Sequence, residues 1–291
     1  MRVSREVGED RAALVAAGVT FYVVLAMFPG MIVIISVYGL VSDASSIGET
    51  LSLLRGFAPP SAIDMIGDEL ARITGNRADS LGLAAIGALV LTLWSANGAM
   101  KALFIAMNVA YDEPEKRGFF IRTVYTLGFT VAGIVLLVII LNIIVLVPVA
   151  VEYLGLTGFA RAATTVLPLL LLFCLLLASI SVLYRYGASR RPPKLRWISV
   201  GAVAAAVFIV IGSAAFSLYL SNWGDYGATY GSLGTAIALM MWIYLATFIV
   251  LVGAELNSEI EHQTAQDTTV GPDRPMGERE AFVADTVGEK A

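Results

Sequence analysis

Long apolar runs separated by short polar segments dominate the pattern of this 291-residue chain. The runs are continuous rather than alternating, so they predict helices and not the strands of a membrane barrel. A helix rises 1.5 Å per residue and the hydrocarbon core is about 30 Å thick, so about 20 apolar residues cross it. Six runs reach that length, over about 12–41, 81–111, 123–150, 163–184, 198–220 and 233–255.

The pattern therefore predicts an all-α, polytopic membrane protein of six transmembrane helices. A short N-terminal segment, 1–11, precedes a membrane domain over 12–256, and a polar tail follows over 257–291. The longest connection, 42–80, contains a Ser-x-x-Asp helix start signal at Ser61 after two prolines. Apolar residues then recur at helical spacing, which predicts a short amphipathic helix in this outer loop. In one interpretation this amphipathic helix packs on the bundle, and in the other it covers a transport pathway.

Composition supports the membrane assignment. Charged residues make up 14% of the chain and the mean hydropathy is +0.80, whereas soluble proteins carry about 25% charged residues. The tail is different, because it holds eight acidic and three basic residues and few apolar ones. We expect this acidic tail to be disordered.

The basic residues of the connections predict the orientation. With the N-terminus inside, eleven Lys and Arg residues fall in cytoplasmic segments and four in outer loops. Because short cytoplasmic loops are enriched in Lys and Arg, both termini are predicted to be cytoplasmic.

Polar residues on the second span are the first candidate site. Asn97, Lys101 and Asn108 lie within roughly 40° of one another on a helix. Such a stripe is typical of a bundle interior or water-filled path, where Lys101 would suit an anionic substrate. In the alternative interpretation Lys101 extends to the headgroups at the end of its helix. Glu255 falls at a similar predicted depth, which makes a Lys101–Glu255 ion pair a hypothesis.

Other positions interrupt or tighten the spans. Asn142 lies in the middle of the third span, and we count it with Glu255 among the candidates for a substrate pathway. Pro29 interrupts the first span and either kinks the helix or frees carbonyl groups. Gly231 and Gly234 are predicted to let the start of the sixth helix pack closely against a neighbour.

The segment "RYGASRRPPKLRW" is strongly basic. Its clustered bases, Arg190, Arg191, Lys194 and Arg196, are explained by the positive-inside rule, and contact with anionic lipid headgroups is their simplest role. Nucleic acid is not an expected partner.

The chain lacks the residues of most catalytic and metal sites. It has one histidine, His262, and one cysteine, Cys174. So few histidine and cysteine residues exclude His-clustered zinc sites and a His-based nucleophile pair in the spans. We expect no metal, no cofactor and no enzymatic activity, although Asp225, Lys101 and Glu255 keep acid–base chemistry as a third hypothesis.

Four segments resemble one known family. They are "GVTFYVVLAMFPG", "LWSANGAMKALFIAMNVAYD", "LYRYGASRRPPKLRW" and "LYLSNWGDYGATYGSLGTAIALMMWIYLATFIVLVGAELNSEIE". Together they resemble the YihY/BrkB family of bacterial inner-membrane proteins over roughly residues 10–260. The resemblance implies six helices, cytoplasmic termini and a bacterial cytoplasmic membrane. Members of that family have carried a mistaken ribonuclease BN label and a virulence factor label, and some are linked to export of envelope lipids.

Two functions remain as the main hypotheses. The first is a transporter or lipid translocation factor for an anionic lipid or solute, with membrane lipids as partners. The second is a non-catalytic membrane scaffold for cell-envelope assembly, which predicts that changes in 42–80 matter more than changes in the polar stripe. The sequence leaves the oligomeric state open.

Overall fold

The computed structural model describes residues 2–39, 81–153, 155, 159–222 and 233–288. Those residues are helical apart from connections and one isolated antiparallel bridge between Pro193 and Thr269. The described helices are α1 (Arg2–Glu9), α2 (Ala12–Gly39), α3 (Leu81–Ala110), α4 (Phe119–Tyr153), α5 (Phe159–Tyr186), α6 (Leu195–Asn222), α7 (Leu233–His262) and α8 (Phe282–Asp285). The predicted all-α class is confirmed, and each predicted span corresponds to one helix from α2 to α7.

These helices are long and apolar enough for a membrane. Five of them, α3 to α7, could each cross one by length and composition. A sixth crossing is counted when α1 and the start of α2, which meet at 55°, are taken as one bent span. The multi-pass architecture predicted from the apolar runs is therefore confirmed.

The long helices form a ring in chain order. Each of α2 to α6 contacts the next helix along the chain, and α7 returns to contact α2. The α2–α3 and α6–α7 pairs are the most extensive, and α7 also contacts α1 and α3. Helix α7, near the end of the chain, thus packs against the helices at its beginning.

Small residues permit the closest helix approaches. A Cβ atom added to Gly98 of α3 would lie 2.6 Å from Tyr22 Cδ1 of α2. One added to Gly201 of α6 would overlap the carbonyl oxygen of Gly253 and lie 2.6 Å from Asn257 Oδ1 of α7. Backbones approach this closely only where one partner has no side chain.

Among the described residues, the largest buried side chains cluster at one end of the bundle. We call it the terminal face, because it carries α1, the connections 111–118 and 187–194, and residues 263–288. Large side chains with no more than 1% exposure meet there: Phe104, Met107, Tyr111, Tyr184, Ile198 and Val283. The charge pattern predicts that this face is cytoplasmic.

The expectation of a disordered tail is wrong for residues 257–288. Helix α7 runs to His262, so the predicted boundary at 256 falls inside it. The chain then folds back on the terminal face, where Thr268, Thr269 and Val283 are completely buried. The tail has too few apolar residues to form a hydrophobic core of its own. It is held instead by ion pairs and hydrogen bonds between its acidic and amide groups and the basic connection before α6.

Several predicted features differ or lie outside the described residues. Helix α2 is continuous through Pro29, from Ala12 to Gly39; the Pro29 side chain is outside the described part. Gly234 is buried at the start of α7. Gly231, the outer loop 42–80 and Asp225 lie outside the described residues.

Candidate functional site

Asn97 is the most unusual polar residue on the predicted stripe. It lies in α3 with only 8% of its surface exposed. Its Oδ1 atom is buried and has no hydrogen-bond partner in the described part of the chain. A buried amide oxygen without a hydrogen-bond donor is costly in an apolar bundle.

Lys101 lies one helical turn from Asn97 and is half-buried. Among the described residues it forms no ion pair. Residues four apart on a helix are neighbours on its surface. An amide oxygen and an ammonium group without partners therefore lie next to each other on α3.

Glu255 is not the partner of Lys101. It lies in α7 beside a small cavity that Ala106, Val109 and Ala110 of α3 also line. Those residues are about 8 to 14 Å further along α3 than Lys101, which places Glu255 nearer the terminal face. The same cavity is lined by Asp10, at the bend between α1 and α2, so Glu255 faces a second carboxyl group rather than Lys101.

Asn108 has a structural set of partners. Its Oδ1 accepts a hydrogen bond from the Ser189 amide (2.6 Å), and its Nδ2 donates to Glu115 Oε2 (3.0 Å). Glu115 also accepts from the Arg117 side chain at 2.9 Å. Asn108 therefore ties the end of α3 to two connections of the terminal face, and its hydrogen-bonding groups are already used.

Asn142 does not join the other polar residues. It is exposed on α4, and its Nδ2 donates to the Val138 carbonyl oxygen of the same helix (2.8 Å). Of the five candidates for a substrate pathway, the structure therefore places only Asn97 and Lys101 side by side.

An ion pair that the sequence did not predict lies inside the terminal face. Arg190 donates to both carboxylate oxygens of Glu261, at 2.9 and 2.8 Å, and both side chains are 0% exposed. The guanidinium carbon also lies 4.0 Å from the centre of the Tyr111 ring, and Thr268 Oγ1 donates to Glu261 Oε1. The predicted headgroup contact of Arg190 is thus wrong, because its side chain is enclosed by protein.

The other bases of the same connection also contact the tail. The Arg191 amide donates to the Glu280 carbonyl oxygen at 3.2 Å. Lys194 Nζ lies 2.9 Å from Asp273 Oδ1, and Arg196 Nη2 donates to Gln266 Oε1 at 3.0 Å. A basic connection followed by an acidic tail was the sequence signal that could have indicated this pairing.

Burial and hydrogen bonding shift the pKa values of Tyr111 and Asp267 at this face. Burial raises the pKa of Tyr111 well above its usual range, so its hydroxyl group stays neutral. Burial alone would also raise the pKa of Asp267. Hydrogen bonds from the amides of Arg274 and Thr269 and from the Thr269 hydroxyl outweigh that effect, and the pKa of Asp267 is lowered to about 2.

Metal binding has no support in the described ranges. No three histidine, cysteine, aspartate or glutamate side chains there are grouped so that they could hold an ion.

Comparison with known proteins gives a consistent result. The family model described as "Virulence factor BrkB" matches residues 3–277. The chain is 29% identical over 256 residues to a "ribonuclease-like protein", YfkH of Bacillus subtilis (strain 168), covering 84% of this chain and 88% of the relative. It is 23% identical over 255 residues to the UPF0761 membrane protein NTHI0384 of Haemophilus influenzae (strain 86-028NP), covering 87% and 91%. No solved structure matches this chain.

Proposed function

This chain belongs to the BrkB family of membrane proteins, and from that premise we propose that it is a transporter or lipid translocation factor of the inner membrane acting on an anionic lipid or solute. The family assignment and the multi-pass fold support a role within the membrane. The substrate class rests on the polar residues of α3.

The unpartnered Asn97 amide carries the proposal. A polar group buried among apolar helices is normally hydrogen-bonded, and an exception calls for a ligand or a functional strain. Lys101, one turn away, supplies a positive charge that is not neutralised by an acid in the described residues. A phosphate would accept a hydrogen bond from Lys101, while a hydroxyl group of the same molecule would donate to Asn97 Oδ1. An anionic, hydroxylated lipid headgroup satisfies both residues.

We propose a non-catalytic role. YfkH is called ribonuclease-like, but the described residues of this chain hold no metal cluster, and its one histidine lies at the end of α7. His262 is close to the Thr286 hydroxyl group (2.9 Å), within the fold of the tail.

Reconstitution in vesicles tests the proposal. Vesicles of phosphatidylcholine containing a trace of acyl-chain-labelled phosphatidylglycerol are treated with a reductant that quenches only the outer leaflet. We expect the wild type to expose the inner label, and Lys101→Ala or Asn97→Leu to slow that exposure by about tenfold, equivalent to about 1.4 kcal/mol. Asn142→Ala is the matched control, because it removes an exposed amide whose only hydrogen bond is within its own helix.

Two results would contradict the proposal. One is an equal rate for wild type, Lys101→Ala and protein-free vesicles. The other is an equal loss of rate for Lys101→Ala and Asn142→Ala, which would indicate a general effect of helix polarity.

A scaffold role is the second candidate, and the folded tail favours it. The tail and the basic connection build a folded polar surface at the terminal face, which a partner protein could recognise. This role predicts that Lys101→Ala is harmless in cells, whereas removal of residues 263–291 is not.

A further inference from the structure

The connection between α5 and α6 places two basic side chains in the headgroup layer. Helix α6 has 28 residues, which is about 42 Å and longer than the hydrocarbon core of about 30 Å. Lys194 directly precedes α6, and Arg196 lies in its first turn. Both residues are therefore at the level of lipid headgroups on the terminal face.

The tail holds these two side chains only loosely. Lys194 Nζ donates to the Asp267 carbonyl oxygen (3.1 Å) and to Asp273 Oδ1 (2.9 Å), and the Asp273 side chain is 81% exposed. Arg196 donates to Gln266 Oε1 at the surface. Exposed pairs of this kind contribute little stability, because water and salt screen them.

The inner part of the tail is held much more firmly. The Arg190–Glu261 pair is completely buried. The Lys194 amide donates to the Thr268 carbonyl oxygen (2.7 Å), and the Val270 amide donates to the Pro192 carbonyl oxygen (2.9 Å). Residues 261–270 are thus fixed to the connection by backbone hydrogen bonds and a buried pair, while residues 271–278 are exposed at the surface.

We propose that the outer tail, residues 271–278, takes the place of an anionic lipid headgroup within the protein. Its Asp273 side chain binds Lys194 when the surrounding leaflet is neutral, and an anionic leaflet displaces it from that base. Headgroups attract each nearby base about as strongly as an exposed acid does, so lipid composition decides which partner is bound. This inference is independent of the role of Asn97 and Lys101.

Amide hydrogen exchange of the protein in lipid nanodiscs tests whether anionic lipid displaces the outer tail. One sample contains phosphatidylcholine alone and the other equal parts of phosphatidylcholine and phosphatidylglycerol, at the same ionic strength. We expect backbone amides of 271–277 to exchange several-fold faster in the anionic discs. Those of 261–270 should exchange equally in both, because the buried pair and the backbone hydrogen bonds do not face lipid.

Two substitutions with the same charge change separate this contact from a general charge effect. Asp273→Asn removes the carboxylate that Lys194 contacts, so fast exchange is expected already in neutral discs, with little further change in anionic ones. Glu278→Gln removes an exposed carboxylate that forms no ion pair among the described residues, and it should respond to lipid as the wild type does. Equal exchange of 271–277 in both discs for the wild type would overturn the proposal. So would indistinguishable behaviour of the two variants.

Discussion

At the scale of single residues, Arg190 and Glu261 show how a charge can be placed inside a membrane protein. Each side chain is removed from water, which is costly, but two hydrogen bonds join them and the Tyr111 ring covers the guanidinium group. Thr268 supplies a further donor to the carboxylate. The pair is tolerable only while every member is present, so it fixes the end of α7 to the connection before α6.

Replacing one partner of this pair should be strongly destabilising. Arg190→Gln leaves the Glu261 carboxylate buried without its cation, so we expect a loss of about 3–5 kcal/mol in the free energy of unfolding. Equilibrium unfolding in mixed micelles measures it. Arg196→Gln is the control, because it removes an exposed base of the same connection and should cost at most about 1 kcal/mol. Equal losses for the two variants would contradict this account.

At the level of the helices, α6 and α7 pack closely because glycine residues at their crossing have no side chains. Gly201 faces Gly253, and Asn257 accepts a hydrogen bond from the Gly201 amide (2.7 Å) and donates to the Ile198 carbonyl oxygen (3.1 Å). Lipid provides no hydrophobic drive between helices, so close backbone contact and interhelical hydrogen bonds supply the association. The same surface of α6 presents Ala202 and Ala205, both fully buried.

A single methyl group at this crossing should separate the helices. Gly201→Ala puts a Cβ atom onto the Gly253 carbonyl oxygen, and we expect a loss of about 1–3 kcal/mol in stability. Gly128→Ala in α4 is the matched control, because its added Cβ atom meets nothing within 4 Å and should change stability by less than about 0.5 kcal/mol. Thermal unfolding of both variants in detergent distinguishes them. An unchanged Gly201→Ala protein would show that the crossing can relax.

At the scale of the whole molecule, the ring of helices is closed at one end by the folded tail. Helix α7 contacts the first helices of the chain and continues into the segment that covers the basic connection. Asp267 organises the turn of this segment by accepting hydrogen bonds from the amides of Thr269 (2.9 Å) and Arg274 (2.8 Å). The terminal face is therefore a single packed unit built from both ends of the sequence.

Acid should loosen the tail through Asp267. Its folded pKa of about 2 lies below the unfolded value of about 3.9. The carboxylate therefore contributes its full stabilisation above about pH 4 and loses it as the pH falls towards about 2. Cleavage of residues 263–288 by pepsin should rise across that interval in the wild type, beyond the intrinsic activity of the protease. Asp267→Asn should be cleaved at the same relative rate throughout, and a parallel rise in both proteins would contradict the assignment.

Much of the architecture could be predicted from the sequence, for a direct physical reason. A helix that crosses lipid must satisfy its own backbone and present apolar residues over a fixed length, so each run from α2 to α7 is visible in composition alone. The polar stripe could be found in the same way, because Asn97 and Lys101 are neighbours along one helix. The predicted Lys101–Glu255 ion pair is absent because the depth estimated from the helix ends was wrong by about one and a half to two and a half turns.

Sequence alone was enough for the class of protein, the number and approximate positions of its apolar helices and the adjacency of Asn97 and Lys101, since these depend on local composition and helical period. Tertiary structure alone decided where charges meet. Arg190 and Glu261 are 71 positions apart, and nothing in their neighbours distinguishes a base that faces lipid from one enclosed by protein. The tail shows the same limit: its composition is that of a disordered segment, and it folds because the basic connection it pairs with is brought beside it by helices α5 to α7.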